Sequence, residues 1–461
     1  MNQSILRLTR ELADIQKSND LSLAVACRDS DIRSIKAMIV GPPETPYEFG
    51  FFEFSMKFPK EYPAKAPTVN ALTTNGGRCR FNPNIYAGGK VCLSILGTWR
   101  GERGEEWSSA QGLESILISI QSLMSANPYE NEPGYENANS QHDKDNQKAY
   151  VLKMAYVRAR VCVKIRHETL RISIIQRLEE YLGLKPDGTY IIRQPEEGES
   201  SENDPQYVEE GGVYFFEPFK DLCKRRFLWY YDTYLTSIEA EKEKVTENQV
   251  FVRMPFEMAG GNSMGNSMEG KFGYAELERR IKNIRKALDD EAAKWGPEGL
   301  DWLKREEGVA ANLQRQFEQT KVYFRENDSV PLDLDLQDKN PFIWEVSYFG
   351  MPMTNLDGGL FKFTMRFSVR FPEEQPRVQF STPMFHHKIN KDGIPAYFPG
   401  KPEDVRSHID GVIAVLREED PAYDPRTQLN MAASKLYWGT KEEKREYNKQ
   451  FRRYYATPPH P

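Results

Sequence analysis

The chain has 461 residues, 39% of them hydrophobic, which is material for about two to four folded domains. The formal net charge of −6 argues against nucleic acid as the main partner, because phosphate binding requires a basic face. The five cysteines are odd in number and far apart, which excludes a disulfide scaffold and favours a reducing compartment. No signal peptide is evident and no stretch approaches about 20 apolar residues, so we expect no membrane span and an address in the cytoplasm, the nucleus or both.

The first elements follow from hydrophobic periodicity. Apolar residues spaced three and four apart predict an amphipathic helix over residues 1–17; they are Ile5, Leu8, Leu12 and Ile15. Two strands are predicted over 35–40 and 52–58, and the second alternates with its phenylalanines on one face. A loop at 75–107 precedes a helix for which Ser108 is the predicted N-cap and Gln111 reaches back to it.

Further along, helical periodicity covers about 146–182. Acidic and polar composition predicts a linker at 183–212, and glycine and serine predict a flexible one at 259–270. The predicted organisation is therefore a first domain with a helical extension, a linker, a second helical extension, a short linker and a last domain. Their boundaries are 1–182, 183–212, 213–258, 259–270 and 271–461.

An internal repeat is predicted from one motif. Residues 54–63 and 367–376 share a strand pattern that ends in two prolines four residues apart. Upstream, 50–52 matches 359–361 if the second copy carries four extra residues. Pattern, proline placement and order together predict a duplicated domain.

The loop at 81–93 holds the best candidate for chemistry, Cys92, which lies in a glycine-rich segment shortly before a helix. The alternative is an inert buried thiol, since free cysteine often behaves as a small hydrophobic residue. None of the six histidines lies in this loop, and a hydrolytic cysteine normally needs such a base. A thiol that only carries an acyl group needs less activation, so a carrier is favoured over a hydrolase.

Several motifs in order resemble the ubiquitin-conjugating (E2) enzymes. They are Asn82-Pro83-Asn84, Cys92 eight residues later, Trp107-Ser108-Ser109-Ala110, the turn Gly41-Pro42-Pro43, the proline-rich connection from Phe58-Pro59 to Pro67, and Arg7-Leu8-Thr9-Arg10-Glu11-Leu12. The resemblance covers about 1–180. It implies an α+β fold, the E2 (UBC-like) fold, with a four-stranded antiparallel sheet flanked by helices, here present twice.

The resemblance also implies site residues. Cys92 would accept ubiquitin or a ubiquitin-like protein as a thioester. Asn84 would steady the oxyanion or the loop that builds the site, the alternative being simple turn capping. Glu132 stands where the family has an acidic residue that orients and deprotonates the attacking lysine, the alternative being a solvated charge. Trp107 is expected to pack, and Asn82 replaces the family's histidine.

Partners follow from the same resemblance. The first helix, with Arg7 and Arg10, would dock on the activating (E1) enzyme, and protein substrates and an E3 ligase would follow. Ala64 and Ser109 replace the residues that contact RING-type E3 ligases, which puts ordinary E3 pairing in doubt. The segments 91–99 and 127–134 resemble the Use1 class, which pairs with the Uba6 E1 enzyme; giant E2/E3 hybrid ligases are the second choice. No cofactor is expected, because E1 uses the ATP.

In the second copy, Lys388 stands in place of Asn84 and Ala396 in place of Cys92. Alanine forms no thioester, so a catalytically inactive E2-like domain for binding or scaffolding is predicted. His386 and His387 are interpreted as packing or surface residues rather than metal ligands. The competing hypothesis for the whole chain is a non-catalytic E2-variant adaptor in which Cys92 is incidental.

Overall fold

A computed structural model describes residues 3–18, 20–101, 104–131, 163–191, 209–210, 213–214, 216–251, 268–304, 308–327, 330–418 and 421–456. The chain forms two compact units. The first comprises Met1–Lys220 and Ser237–Ile284, and the second comprises Asp221–Thr236 and Arg285–Pro461. The domain boundaries expected from composition remain a prediction.

The first unit is built on a four-stranded antiparallel sheet whose strands are neighbours in chain order. The strands are β1 (Leu23–Arg28), β2 (Asp31–Val40), β3 (Phe51–Lys57) and β4 (Thr68–Ala71). Ile39 in β2 lies opposite both Leu23 and Phe52, so three strands contribute to one apolar layer. A two-residue ladder joins β5 (Glu209–Glu210) to β6 (Val213–Tyr214).

In the described part of the first unit, one helix precedes the sheet in the chain and two follow it. They are α1 (Gln3–Lys17), α2 (Leu113–Leu123) and α3 (163–182), whose middle part, Thr169–Gln176, is π-helical. Two longer helices, α4 (Lys220–Lys242) and α5 (Tyr274–Lys304), contribute residues to both units. The predicted first helix is confirmed: Leu8, Leu12 and Ile15 are buried. No helix in the described part of the chain is long and apolar enough to cross a bilayer.

The sheet of the first unit is covered on both faces where β3 begins. The predicted alternation in β3 implies one polar face, yet residues 51–54 are all buried. The carboxylate of Glu53 accepts a hydrogen bond from Tyr181 at 2.9 Å and pairs with Arg177 at 3.3 Å. Both partners lie on α3, so this helix supplies the second cover and neutralises the buried charge.

The second unit has the same sheet, with strands β7 (Leu332–Leu336), β8 (Ile343–Phe349), β9 (Leu360–Arg366) and β10 (Arg377–Phe380). Its further helices are α6 (Gly308–Glu326), α7 (Val405–Arg417), α8 (Met431–Tyr437) and α9 (Lys441–Ala456). The core includes Trp344, Phe363 and Phe367 from the sheet side and Ile409 from α7. The predicted fold, a four-stranded antiparallel sheet flanked by helices and present twice, is confirmed.

The predicted alignment of the repeat is wrong by four residues in the strand. Phe54 pairs with Ala71, whose amide bonds Gly89; Phe363 pairs with Phe380, whose amide bonds Gly393. Phe363, rather than Phe367, is therefore the counterpart of Phe54, and no extra residues lie within the strand. No additional residues lie between the strand and the prolines either, because Phe54 and Ala71 are 17 residues apart, as are Phe363 and Phe380. The cis peptide bonds before Pro63 and Pro372 fall in equivalent places. The phenylalanine-rich sequence allowed either register, and the hydrogen bonds decide between them.

Candidate active site

The loop that carries Cys92 is tied to the sheet by backbone hydrogen bonds. The amide of Ala71, at the end of β4, donates to the carbonyl of Gly89 at 2.8 Å. Gly89 has φ +90°, and a Cβ there would lie 2.8 Å from the carbonyl oxygen of Ala71. Only glycine therefore fits this close approach of loop and strand. Isolated bridges pair Ile85 with Val91 within the loop.

Asn84 holds the backbone of Cys92 on both sides. The amide of Cys92 donates to the carbonyl of Asn84 at 2.8 Å. In the other direction, Nδ2 of Asn84 donates to the carbonyl of Cys92 at 3.0 Å. This reciprocal pair fixes where the thiol lies. Cys92 is only 3% exposed, so its thiol is sheltered from solvent.

Asn82 ties the loop to the body of the unit. It is 1% exposed, and its Nδ2 donates to the carbonyl of Leu123 at 2.8 Å and to the hydroxyl of Tyr47 at 3.1 Å. Its Oδ1 accepts from the amide of Asn84 at 2.9 Å. The residue that replaces the family's histidine thus links the end of α2 to the loop beside Cys92. Sequence reasoning did not assign it this role, because the partners are distant in the chain.

The segment after Cys92 is fastened by Thr98. A 3-10 turn at Ser94–Leu96 ends at Gly97, which has φ 65°. The hydroxyl of Thr98 donates to the carbonyl of Val91 at 2.7 Å and accepts from the amide of Leu93 at 3.0 Å. These two residues flank Cys92, so one side chain closes the loop around the thiol.

Arg7 and Glu11 join α1 to the start of α2. The guanidinium of Arg7 pairs with Glu11 at 2.7 Å and donates to the carbonyls of Ser109 and Gln111, each at 2.6 Å. Oε2 of Glu11 accepts from the amide of Leu113 at 3.1 Å. The hydrogen bond with Glu11 raises the pKa of Arg7. A carboxylate at a helix N-terminus is stabilising, because the first amides lack partners within the helix.

This contact explains why the predicted cap of α2 is wrong. Gln111 does reach back, accepting from the amide of Ser108 at 3.0 Å, but the helix begins at Leu113 with Gly112 as its N-cap. Glu11, from a different helix, provides the capping oxygen instead.

The other proposed partner-binding positions are exposed, and one of the predicted residues lies outside the described part. Arg10, Ala64 and Ser109 are exposed. Trp107 is half-buried against Tyr62 and donates from its indole nitrogen to the carbonyl of Pro63 at 2.8 Å, in keeping with packing. Glu132 lies outside the described residues.

The other described cysteines are less suited to chemistry. Cys27, Cys79, Cys92 and Cys223 are free thiols. Cys79 and Cys223 are 1% and 0% exposed, close to the 3% of Cys92, but neither lies in the loop that Asn84 and Thr98 hold. Cys27 is partly exposed, but burial, followed by the charges of Asp29 and Asp31, raises its pKa. A raised pKa lowers the thiolate fraction and with it the reactivity.

The second unit keeps the loop and lacks the thiol. The amide of Ala396 donates to the carbonyl of Lys388 at 2.8 Å, as that of Cys92 does to Asn84. Nδ1 of His386 accepts from the amide of Lys388 at 3.1 Å, as Oδ1 of Asn82 does in the first unit. Lys388 pairs with Glu418 rather than with the backbone of residue 396. The predicted equivalence of Ala396 and Cys92 is therefore correct in the backbone.

The two histidines at this loop are packed. His386 and His387 are 6% and 2% exposed, with their rings stacked 4.7 Å apart. His387 also stacks on Tyr437 and bonds Gln428 at 3.0 Å. Within the described residues, no group of three or more potential metal ligands is present.

Comparisons with known proteins match both units. The family model described as Ubiquitin-conjugating enzyme matches residues 7–157 and 313–394, about half of the chain. Ubiquitin-conjugating enzyme E2 Z of Xenopus tropicalis is 45% identical over 226 residues, which cover 49% of this chain and 62% of that protein. The protein of the same name from Homo sapiens is 34% identical over 286 residues, 62% of this chain and 64% of its own length.

A third relative matches a shorter stretch of the chain. The Dual E2 ubiquitin-conjugating enzyme/E3 ubiquitin-protein ligase BIRC6 of Homo sapiens is 46% identical over 136 residues, which cover 28% of this chain and 3% of that protein. The chain spans about three fifths of the length of the two E2 Z relatives.

Proposed function

The chain belongs to the ubiquitin-conjugating enzyme family, and we propose that it accepts ubiquitin or a ubiquitin-like protein as a thioester on Cys92. It then passes the modifier to an acceptor lysine or to an E3 ligase. The observation that carries this proposal is the reciprocal hydrogen bonding between Asn84 and Cys92, which fixes the thiol in a loop closed by Thr98.

The chemistry requires two acyl transfers. In the first, the Cys92 thiolate attacks the thioester carbonyl of ubiquitin on E1, the new C–S bond forms, and the E1 thiolate leaves. In the second, the amine of a lysine attacks the same carbonyl, an amide forms, the Cys92 thiolate leaves and the amine loses its proton. Each step passes through an oxyanion that hydrogen-bond donors stabilise.

Asn84 and Glu132 are the proposed helpers. One N–H of the Asn84 amide bonds the carbonyl of Cys92 at 3.0 Å, which leaves the other N–H of that group for the oxyanion. The Asn84 side chain would then do two things at once: one N–H holds the loop, and the other donates to the oxyanion. Glu132 would attract the ammonium of the incoming lysine and take its proton.

The proposed partners are E1, ubiquitin or a related modifier, an E3 ligase and protein substrates. E1 would dock on α1, where Arg10 is exposed and Arg7 ties the helix to Ser109. By the motifs at 91–99 and 127–134, the E1 enzyme is proposed to be Uba6-like and the chain Use1-like. Ala64 and Ser109 support an unusual E3 contact. The chain needs no cofactor of its own, since E1 consumes the ATP, and it acts in the cytoplasm, the nucleus or both.

The second unit is proposed to be non-catalytic and to serve in binding or scaffolding. Ala396 has no group that could form a thioester, and Lys388 pairs with Glu418 instead of holding the loop as Asn84 does. The absence of both groups supports a scaffolding role for this copy alone.

A thioester assay tests the proposal. The full chain is incubated with ATP, ubiquitin and a panel of E1 enzymes that includes Uba6, and adducts are resolved with and without reductant. We expect a reductant-sensitive adduct with the unmodified chain and with Cys27→Ala. The control removes a more exposed thiol of the same unit, so it separates a positioned thiol from a merely accessible one.

Substitutions at Cys92 complete the test. Cys92→Ala should form no adduct, and Cys92→Ser should form one that resists reductant, because an oxyester replaces the thioester. Loading that survives Cys92→Ala, or no adduct with any E1 of the panel, would refute the proposal and favour a non-catalytic adaptor.

A further inference from the structure

A cavity of about 240 Å³ lies within the second unit. One wall comes from the part of α4 within this unit, another from α5, and the rest from the sheet and the loop around Ala396. Pro395 and Tyr397, the two neighbours of Ala396, both line it. The second unit's counterpart of the thiol-bearing loop therefore forms part of the cavity wall.

Four arginines line this cavity: Arg225, Arg285, Arg366 and Arg377. Arg366 and Arg377 stand directly opposite each other on β9 and β10. Like charges opposite each other on neighbouring strands are destabilising, because their Cβ atoms lie only about 4.5–5.5 Å apart. Anions beside such a pair offset this repulsion.

The carboxylates nearby do not balance these charges. Asp221 serves both Arg225 and Arg377, each at 2.8 Å. Arg366 forms no ion pair or side-chain hydrogen bond with any residue that the structure describes. Arg225, Arg377 and Arg366 carry three positive charges, and Asp221 carries one negative charge. Two positive charges are therefore in excess at the end of the cavity near Asp221.

The remaining charges around the cavity are already paired. Arg285 has both Asp289 and Asp392 as partners, so the opposite end has no positive excess. Glu291 and Glu374 also lie near Arg377, but they are bound by Lys224 and Arg370.

A further positive charge lies behind the aromatic wall. The guanidinium of Arg226 lies 4.1 Å from the ring centre of Trp229, which lines the cavity, and its Nη1 is buried without a hydrogen-bond partner. This cation strengthens the positive potential on the side of α4.

Besides the arginines, Asp289 and Gln379 are the polar lining residues, and most of the others are apolar, including Leu228, Leu288, Ala292, Val378, Ile394 and Pro395. Trp229 and Tyr397 add two aromatic rings. A dry apolar cavity of about 150 Å³ holds benzene, so the space present here fits one ring together with an anionic group.

We propose that the second unit binds a small aryl phosphate monoester in this cavity, with the phosphate at Arg366 and Arg377 and the ring between α4, α5 and the 394–397 loop. A phosphate monoester carries about −1.5 to −2 charges at neutral pH, which matches the two excess positive charges. A guanidinium group binds two phosphate oxygens at once, and Arg366 provides such a fork. Arg377 contributes mainly its charge, because its Nη1 and Nη2 already donate to Gln375 and Asp221. The inactive copy of the fold thus has a binding role of its own.

Calorimetry on the full chain with phenyl phosphate tests this assignment. We expect binding that weakens about tenfold or more in Arg366→Met, which removes the charge and keeps the length of the side chain. Lys362→Met is the matched control, because Lys362 lies exposed on the same strand and outside the cavity. It should bind phenyl phosphate as the unmodified chain does.

Two further ligands separate the parts of the site. Phenol lacks the anion and inorganic phosphate lacks the ring, so each should bind more weakly than phenyl phosphate. A short peptide containing phosphotyrosine shows the source: tighter binding than phenyl phosphate indicates a phosphorylated protein, and weaker binding indicates a free small molecule.

The proposal is overturned if phenyl phosphate gives no binding at millimolar concentration, or if Arg366→Met binds it unchanged. Arg366→Lys guards against a folding artefact, because it keeps the charge and loses the fork. Its affinity for phenyl phosphate should fall between those of the unmodified chain and Arg366→Met. The melting temperature without ligand should be equal or higher in Arg366→Met, since a like-charge contact is removed. Cys92 is not involved, so Cys92→Ala should bind phenyl phosphate normally whatever the thioester assay gives.

Discussion

Replacing Asn82 by alanine should loosen the loop beside Cys92 without unfolding the unit. The substitution removes the acceptor of the Asn84 amide and the donor to the carbonyl of Leu123. The carbonyl keeps a second donor, Nδ2 of Asn131 at 2.9 Å, so the main loss is at Asn84. A donor left without a partner costs about 1–3 kcal/mol, and we therefore expect local opening to become easier by about 2 kcal/mol.

Histidine at the same position is the matched control. In the second unit, Nδ1 of His386 accepts from the amide of Lys388 at 3.1 Å in the equivalent place. Asn82→His should therefore retain the acceptor for Asn84 and stay close to the unmodified chain. Among the contacts that reach Cys92, the two variants differ chiefly in the hydrogen bond to the amide of Asn84.

Hydrogen exchange of the full chain measures the difference. Two kcal/mol corresponds to about thirtyfold faster exchange in peptides that cover 82–96, since about 1.4 kcal/mol is tenfold in an equilibrium constant. Peptides around Lys388 in the second unit provide the internal standard and should not change. Equal exchange in the alanine and histidine variants would show that this hydrogen bond does not hold the loop.

Three other outcomes are expected. Thr98→Val should raise the rate at which iodoacetamide alkylates Cys92 by about tenfold, because the hydroxyl clamp is lost, and an unchanged rate by mass spectrometry would contradict that role. Ala396→Cys combined with Cys92→Ala should form no ubiquitin adduct in the E1 assay, whereas a reductant-sensitive adduct would mean that the second unit lacks only a thiol. Burial lowers the pKa of His408 from 6.5 to about 4, so below about pH 6.5 the unfolded chain binds more protons. The stability present above that pH is lost as the pH falls toward about 4, by up to about 3 kcal/mol, and His408→Gln should flatten the melting temperature against pH.

Local patterns predicted much of this architecture because their causes are local. The stripe of α1 is set by residues three and four apart, and three of its four apolar members are buried as expected. The loop around Cys92 was found from glycines, a cysteine and their spacing to Asn84. Its backbone geometry follows from the same few residues, notably Gly89, for which no other residue fits.

The errors have a common physical origin in contacts between distant segments. Glu11 lies 102 residues before Leu113, so no local signal could assign it as the cap of α2. Glu53 is buried because α3 covers the second face of the sheet, which a strand's own alternation does not reveal. The repeat was misaligned because phenylalanines at every second position fit more than one register.

The loop of the second unit bears on how such proteins arise and change. The same 2.8 Å backbone hydrogen bond stands at Ala396 and at Cys92, so the fold does not depend on the sulfur atom. A duplicated copy can therefore lose its reaction by a single codon change and still reach its native state. Freed from selection for transfer, such a copy is open to drift at every residue that once met a partner. Its backbone, which must still fold, stays under the old constraint.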